Sequence, residues 1–136
     1  MTEALADETA DGSATADSVI VVGYSAKPEG RAALRRSIAE AELRGSRLIV
    51  VHTSPDPEVA ELTSELSASG VAYEVVTPSD ELDPAEELIA AADRTGAEFI
   101  VIGLRRRSPV GKLLLGSNAQ RVLLDASCPV LAVKAE

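Results

Sequence analysis

Short apolar runs alternate with amphipathic stretches along the chain from residue 18 onward. Four of the runs are uniformly apolar and rich in β-branched residues, which predicts strands buried on both faces of a sheet. They cover residues 19–22, 48–51, 99–102 and 130–133. A fifth segment, 71–76, contains a charged residue and therefore predicts a strand at the edge of the sheet.

Helix-boundary residues separate these runs. Asp83, Pro84 and Glu86 supply an N-cap, a proline at the first helical position and the glutamate of a capping box, and this helix is predicted to end at Gly96. Two other helices are predicted, one from near Pro28 to Gly45 that buries Leu34 and Ile38, and one from Asp56-Pro57 to Gly70 with Val59, Leu62 and Leu66 on its apolar face.

Strands and helices in regular alternation imply right-handed crossovers and a parallel sheet. With 136 residues, the chain has the length of one globular domain. We therefore predict an α/β fold, a single-domain, doubly wound, five-stranded parallel sheet with helices on both faces, formed by residues 18–136. Ligands of such sheets bind beyond the carboxyl ends of the strands, which points to the loops after the first and fourth strands.

Charge and composition exclude several classes of function. The 22 acidic residues outnumber the 13 basic ones and give a formal net charge of −9, which opposes binding to nucleic acids or anionic membranes. Aromatic residues make up 2% of the chain, too few for a platform on which bases stack. Residues 1–17 hold five acids and no base, so we expect a disordered acidic tail.

The remaining exclusions concern membranes, thiols and metals. No apolar run approaches the ~20 residues of a membrane span, and no signal peptide is recognisable, so we expect a cytoplasmic protein. Cys128 is the one cysteine, which excludes an internal disulfide, and it is expected to be a small packed residue. His52 is the one histidine and ends a buried strand, so we expect it to be structural or pocket-lining rather than catalytic. No spacing of metal ligands is present.

The segment after the fourth strand has the composition of an anion site. Residues 99–124 contain five bases and no acid, in a chain that is acidic overall. Gly116, Ser117 and Asn118 open the last helix, where backbone N–H groups and the helix dipole favour a phosphate. The alternative is that the arginines are simply solvated and that Gly116-Ser117 is an ordinary helix cap.

Two common phosphate-binding motifs do not fit this segment. A Walker A loop has four residues between its first glycine and Gly-Lys-Ser/Thr, whereas seven residues separate Gly103 from Gly111, and Leu113 follows Lys112. The G-x-G-x-x-G dinucleotide fingerprint is also missing, because the first strand leads into residues 23–30, Gly-Tyr-Ser-Ala-Lys-Pro-Glu-Gly. The sequence therefore excludes a P-loop enzyme and a dinucleotide-dependent dehydrogenase.

A family resemblance is carried by four segments. They are Val-Gly-Tyr-Ser-Ala-Lys-Pro-Glu-Gly-Arg-Ala-Ala-Leu (22–34), Val-Val-His-Thr (50–53), Ile-Gly-Leu-Arg-Arg-Arg (102–107) with Leu-Leu-Leu-Gly-Ser (113–117), and Cys-Pro-Val-Leu-Ala-Val (128–133). Through them the body of the chain, 18–136, resembles the universal stress protein family. The resemblance implies a Rossmann-like fold similar to that of the adenine nucleotide alpha hydrolases.

The resemblance also implies a nucleotide site. In nucleotide-binding members the pattern G-x2-G-x9-G-[S/T] faces the phosphates, and Gly103, Gly116 and Ser117 match it. Arg106 replaces the second glycine and either blocks the pocket or points its guanidinium at the phosphate. Ser25 stands where binders usually carry an aspartate. The remaining nucleotide-binding residues expected by resemblance are Thr53, near adenine, together with Ile102, Arg105 and Asn118.

The resemblance implies a function as well. We expect a nucleotide-responsive stress-resistance or signalling module that binds ATP, or AMP or ADP, with Mg²⁺ as a candidate companion. A homodimer is expected through the C-terminal edge strand, 129–134. Because the sequence offers no base that could activate water, at most slow ATP hydrolysis is expected. The alternative is a dimeric interaction module that binds no nucleotide and contacts an acidic partner protein through its arginine loop. A hydrolase using His52 is the least favoured hypothesis.

Overall fold

The computed structural model describes residues 18–52, 59–77, 82–105 and 116–135, so the predicted N-terminal tail lies outside the described residues. Strands and helices alternate along these ranges, as the sequence predicts. In chain order they are β1 (Val19–Tyr24), α1 (Pro28–Arg44), β2 (Arg47–His52), α2 (Val59–Ser69), β3 (Tyr73–Val76), α3 (Pro84–Thr95), β4 (Phe99–Leu104), α4 (Ser117–Asp125) and β5 (Val130–Lys134).

The strands form one five-stranded sheet in the order β3-β2-β1-β4-β5. Every neighbouring pair is parallel. The chain therefore winds outward from β1 to β3, returns to the other side of β1, and winds outward again to β5. This is the predicted doubly wound sheet, with β3 and β5 at its two edges.

Helices cover both faces of the sheet, because successive residues of each strand point to opposite sides. On one face, Ile20 and Val22 of β1 pack with Leu34 of α1 and with Leu62 and Leu66 of α2. On the other face, residues of β1, β2 and β4 pack against α3 and α4. The residues of this second cluster include Val21, Ile49, Ile100, Leu88 and Val122. The runs 19–22, 48–51 and 99–102 are therefore covered on both faces, as predicted. The prediction is wrong for the fourth run, 130–133, which forms the edge strand β5 and is only partly buried because no further strand or helix among the described elements covers its outer side.

The helix-boundary residues act as the sequence indicates. The Asp83 side chain accepts a 2.9 Å hydrogen bond from the Glu86 backbone N–H, and the Glu86 carboxylate accepts a 3.1 Å bond from the Asp83 N–H. These bonds complete the predicted capping box of α3. Gly45 and Gly96 end α1 and α3 with φ of 69° and 64°, a left-handed conformation that favours glycine. Asp56-Pro57, the predicted start of α2, lies outside the described residues.

The structure shifts the start of β3 and the ends of β1 and β4 relative to the predicted strands. β3 begins at Tyr73 rather than at residue 71, because the Val71 N–H donates to Ser69 Oγ at 3.1 Å in the turn before the strand. β1 and β4 run two residues further than their apolar runs. Pairing continues through Gly23 and Tyr24 of β1 and through Gly103 and Leu104 of β4, although glycine interrupts the apolar pattern.

The winding places a gap at the carboxyl ends of β1 and β4. The connections after these two adjacent strands leave in opposite directions, which opens a crevice where ligands of such sheets bind. Among the described residues, no helix combines the length and apolar character needed to cross a membrane.

Candidate functional site

A cleft of about 290 Å³ occupies the gap between the ends of β1 and β4. This volume lies near the lower end of the ~300–1,000 Å³ range of small-molecule sites. Seven of the nine predicted site residues line the cleft: Ser25, Ile102, Gly103, Arg105, Gly116, Ser117 and Asn118. The other two, Thr53 and Arg106, lie outside the described residues.

The N-terminus of α4 opens directly onto the cleft. Gly116 is its N-cap residue, in an extended conformation with φ −67° and ψ 162°, and supplies no side-chain cap. The first turn of the helix contains no acidic residue, and Ser117 and Asn118 are exposed along the cleft. The backbone N–H groups of this turn are therefore available to an anion.

Two cations face this site from different elements. The guanidinium of Arg105 lies 3.9 to 4.0 Å from the position that a Cβ on Gly116 would occupy, and Lys27 lines the cleft at the start of α1. Within the described ranges neither cation forms an ion pair, in contrast to Arg31, Arg44 and Arg121. A cation beside the positive end of a helix is electrostatically unfavourable, so an anion bound between them would stabilise both.

The five bases of 99–124 do not all serve this cleft. Arg121 donates to Glu86 at 3.0 Å, to Asp125 at 3.2 Å and to Asp83 at 3.3 Å. We call this group the Arg121 network. The hydrogen bonds to Glu86 and Asp125 raise the pKa of the Arg121 guanidinium, which keeps it charged. Arg121, one of the five bases counted in this segment, therefore pairs with three carboxylates and does not line the cleft.

Gly103 lines the cleft but also has a packing role that the sequence did not reveal. A Cβ at this position would overlap the backbone carbonyl of Glu29, in the first turn of α1. The missing side chain therefore lets α1 approach β4. Gly30 is similar, since a Cβ there would overlap the backbone of Ser25. Both glycines therefore allow the first turn of α1 to pack closely against its neighbours beside the cleft.

Sequence reasoning missed several residues of the cleft wall. Lys27, Glu29 and Gly30 come from the start of α1, and Pro84 and Leu88 come from α3. The first three were within reach of prediction, because the loop after the first strand was already singled out. The two residues of α3 carry no such signal, since only the strand order brings this helix beside β1 and β4.

Tyr24, His52 and Cys128 lie in three different environments. Tyr24 is buried in the core below α1 and also lines the cleft. His52 is buried at the end of β2, opposite Tyr24 in the register, and does not line the cleft. Cys128 is half-buried and packs against the core on the face that α3 covers. Burial raises the pKa of the Cys128 thiol, which keeps it protonated and weakly reactive at neutral pH.

Metal ligands are not clustered in the described part of the chain. No group of three or more His, Cys, Asp or Glu side chains comes together there in a way that could hold a metal ion. Along the cleft, the carboxylate among the described lining residues belongs to Glu29.

The fold and the cleft define the class of protein: a small doubly wound α/β domain with a crevice lined by Arg105 and Lys27 at its switch point. The profile of the universal stress protein family matches residues 60–134. A universal stress protein of Mycolicibacterium smegmatis is 48% identical over 127 residues, which cover 85% of this chain and 97% of that protein. The chain therefore belongs to the universal stress protein family.

Two solved structures show the same fold. A universal stress protein from Archaeoglobus fulgidus has a TM-score of 0.68 at 32% identity, over 86% of this chain and 98% of that chain. The universal stress protein from Archaeoglobus fulgidus in complex with dAMP has a TM-score of 0.62 at 26% identity, over 86% of this chain and 97% of that chain.

Proposed function

We propose that this universal stress protein binds an adenine nucleotide in the cleft between β1 and β4 and acts as a nucleotide-responsive module of stress resistance. One observation carries the proposal: the N-terminus of α4, which has no side-chain cap, and the guanidinium of Arg105, which forms no ion pair with the described residues, meet at the switch point of the sheet. The complex of a family member with dAMP supports the choice of an adenine nucleotide as the ligand.

In this proposal the phosphates lie against the first turn of α4. The N–H groups that follow Gly116, the hydroxyl of Ser117 and the amide of Asn118 donate hydrogen bonds to phosphate oxygens. Arg105 adds a charge-assisted bond, as does Arg106, which the family pattern places near the phosphates. Gly103 completes the proposed site toward the phosphates, and Ser25, Ile102 and Thr53 complete it toward the ribose and the base.

The shape of the cleft supports a ligand with an apolar part and an anionic part. Leu88, Ile102 and Val122 give it an apolar wall, whereas Arg105 and Lys27 give it positive charge. Small-molecule sites usually combine such a wall with a few placed polar groups. An adenosine phosphate matches this division, with the base on the wall and the phosphate at α4.

Magnesium would bind together with ATP, through the phosphates, rather than at a site made of protein ligands alone. Mg²⁺ usually keeps several waters and is held by substrate phosphates with one or two carboxylates. Glu29 is the carboxylate that the described residues place along the cleft, and it is the candidate protein ligand. When bound, the ion would neutralise charge on the phosphate chain.

Calorimetry tests the proposed function. We expect purified, nucleotide-stripped protein to bind AMP, or ATP with Mg²⁺, saturably in the micromolar range. Gly116→Val should weaken binding about tenfold or more, a loss of about 1.4 kcal/mol per tenfold, because its side chain would occupy the space beside Arg105 that the phosphate needs. The backbone conformation of Gly116 is extended, so valine is compatible with the fold.

The control is Ala72→Val, which also introduces valine in place of a small residue. Ala72 is exposed, precedes the edge strand β3 and does not line the cleft. This variant should bind AMP and ATP as the parent protein does. Equal affinity in Gly116→Val would reject the site. Absence of binding by the parent protein up to millimolar AMP and ATP would reject the function and leave the interaction module as the better hypothesis.

We also propose that the protein is a cytoplasmic homodimer paired through β5. β5 is an edge strand in this sheet. Leu124, on α4, is 82% exposed. A mostly apolar strand at the edge of a sheet favours pairing with a second copy.

A further inference from the structure

α4 is held to the rest of the protein by few buried side chains. Val122 is its one fully buried residue, and Ala119 is partly buried beside it. Leu123 and Leu124 are 41% and 82% exposed. A nine-residue helix with so little burial would shift readily unless other contacts held it. Its position matters, because Ser117 and Asn118 line the cleft.

The Arg121 network supplies such contacts between α4 and α3. Arg121 lies one turn after Ser117, and two of its three bonds cross to Glu86 and Asp83. Those two carboxylates also form the capping box of α3, so their positions are fixed by backbone N–H groups. The third bond, to Asp125, stays within α4 and does not tie the helix to anything else. The crossing bonds therefore join the middle of α4, one turn after Ser117, to two carboxylates that backbone N–H groups hold in place.

We propose that Arg121 is a positioning residue: by bonding the capping box of α3, it holds the first turn of α4 in the place where that turn binds phosphate. The inference rests on the proposed function, since it assigns regulation of affinity at the same cleft. It concerns residues outside the family's phosphate pattern, and Arg121 itself does not line the cleft.

Two explanations, positioning of α4 and charge repulsion alone, predict opposite changes in nucleotide affinity when the charges of Asp83 and Glu86 are removed. Asp83 and Glu86 are anions in the first turn of α3 and its cap, next to Pro84, which lines the cleft, so removing their charges should tighten binding if charge alone matters. If the crossing bonds position α4, the same change should weaken binding. The two explanations are therefore separated by the sign of the effect.

The decisive variant is the double substitution Asp83→Asn and Glu86→Gln. Asparagine is as good an N-cap as aspartate, and glutamine can replace glutamate in a capping box, so α3 keeps its cap while Arg121 loses its charged partners. Titration with AMP should show binding about three- to tenfold weaker than in the parent protein. Arg121→Gln should have a similar effect, and the triple variant should bind no more weakly than the double variant.

Three further variants serve as controls. Asp125→Asn removes the bond within α4 and should leave AMP affinity within about twofold of the parent value, because it does not link the two helices. Arg121→Lys should restore part of the affinity lost in Arg121→Gln. Arg94→Gln makes the same change of charge at an exposed position in the last turn of α3, away from the cleft, and should leave affinity unchanged.

Hydrogen exchange gives a second readout that needs no nucleotide. The amides of residues 120–125 should exchange faster in Arg121→Gln and in the Asp83→Asn and Glu86→Gln variant than in the parent, while those of α2 stay unchanged. Equal or tighter AMP binding by the double variant, with unchanged exchange in α4, would overturn the proposal. If the parent protein binds no nucleotide, the proposed function fails, and exchange in α4 alone decides whether Arg121 holds the helix.

Discussion

At the scale of single residues, the two glycines matched to the family pattern lack side chains for different reasons. Gly103 has backbone against it, because the Glu29 carbonyl occupies the space where a Cβ would lie. Gly116 has open space, with the Arg105 guanidinium about 4.0 Å from the Cβ position. The first glycine is therefore required by packing whatever the cleft binds, whereas the second is required only if a ligand approaches.

Alanine at these two positions tests the distinction. Gly103→Ala should destabilise the protein by about 1–3 kcal/mol, because the added methyl must push α1 away from β4. Gly116→Ala should cost about 0.5 kcal/mol, the usual difference between glycine and alanine at an N-cap. Urea unfolding followed by circular dichroism measures both values. Equal destabilisation by the two substitutions would contradict the assigned packing role of Gly103.

At the scale of elements, the three helices that begin near the cleft differ in how their first turns are satisfied. α3 has a complete capping box from Asp83 and Glu86. The N-cap residues of α1 and α4 are Lys27 and Gly116, neither of which supplies a side-chain cap. No side-chain cap therefore occupies the first N–H groups of α4 or those that follow Pro28 in α1, while the first N–H groups of α3 are partly occupied by its own residues. This difference favours an anion near α1 and α4.

The cap of α3 can be tested through stability. Asp83→Ala should lower the free energy of unfolding by about 1 kcal/mol, the usual cost of losing an N-cap side chain. Asp83→Asn should stay close to the parent protein, because asparagine accepts the same hydrogen bond from the Glu86 N–H. Urea denaturation of the two variants side by side makes the comparison. Similar losses in both would mean that the charge of Asp83, and not its cap, stabilises α3.

At the scale of the whole molecule, the sheet has two edges of different character. β3 has four residues and carries Glu74, whose side chain pairs with Arg47 on β2 at 3.5 Å. A short, charged edge discourages pairing with other chains. β5 is longer and mostly apolar, with the sequence Val-Leu-Ala-Val-Lys. The proposed dimer therefore pairs through β5 and leaves β3 exposed.

Proline at the outer side of β5 tests the dimer. The Pro129 carbonyl and the Ala135 N–H bond to β4, so by alternation the Ala132 N–H points to the free edge. Ala132→Pro should break pairing between copies without breaking the bonds to β4. Sedimentation should give twice the chain mass for the parent protein and for Ala132→Thr, but the chain mass for Ala132→Pro. A dimer in all three would place the interface elsewhere.

Much of the architecture follows from local pattern. Uniformly apolar runs mark strands, three of which are covered on both faces while the fourth forms the edge strand β5. Pro28, Asp83 and Gly96 mark helix ends, because each satisfies or terminates backbone hydrogen bonding in its own vicinity. Alternation of these elements then requires parallel strands with a crevice at the switch point. The places of Arg105 and Gly116 at the cleft follow from their positions after β4 and before α4.

The tertiary structure alone decided which distant residues meet. In the sequence, Arg121 is one of the five bases of 99–124. Only the packing of α4 on α3 brings it to Asp83, 38 residues away in the chain. From the sequence, Gly103 is predicted to face a ligand. Only the packing of α1 against β4 shows that the Glu29 backbone fills the space where its Cβ would lie. Sequence determines the elements because their causes are local. Pairings across the fold depend on strand order and helix docking, which no single segment specifies.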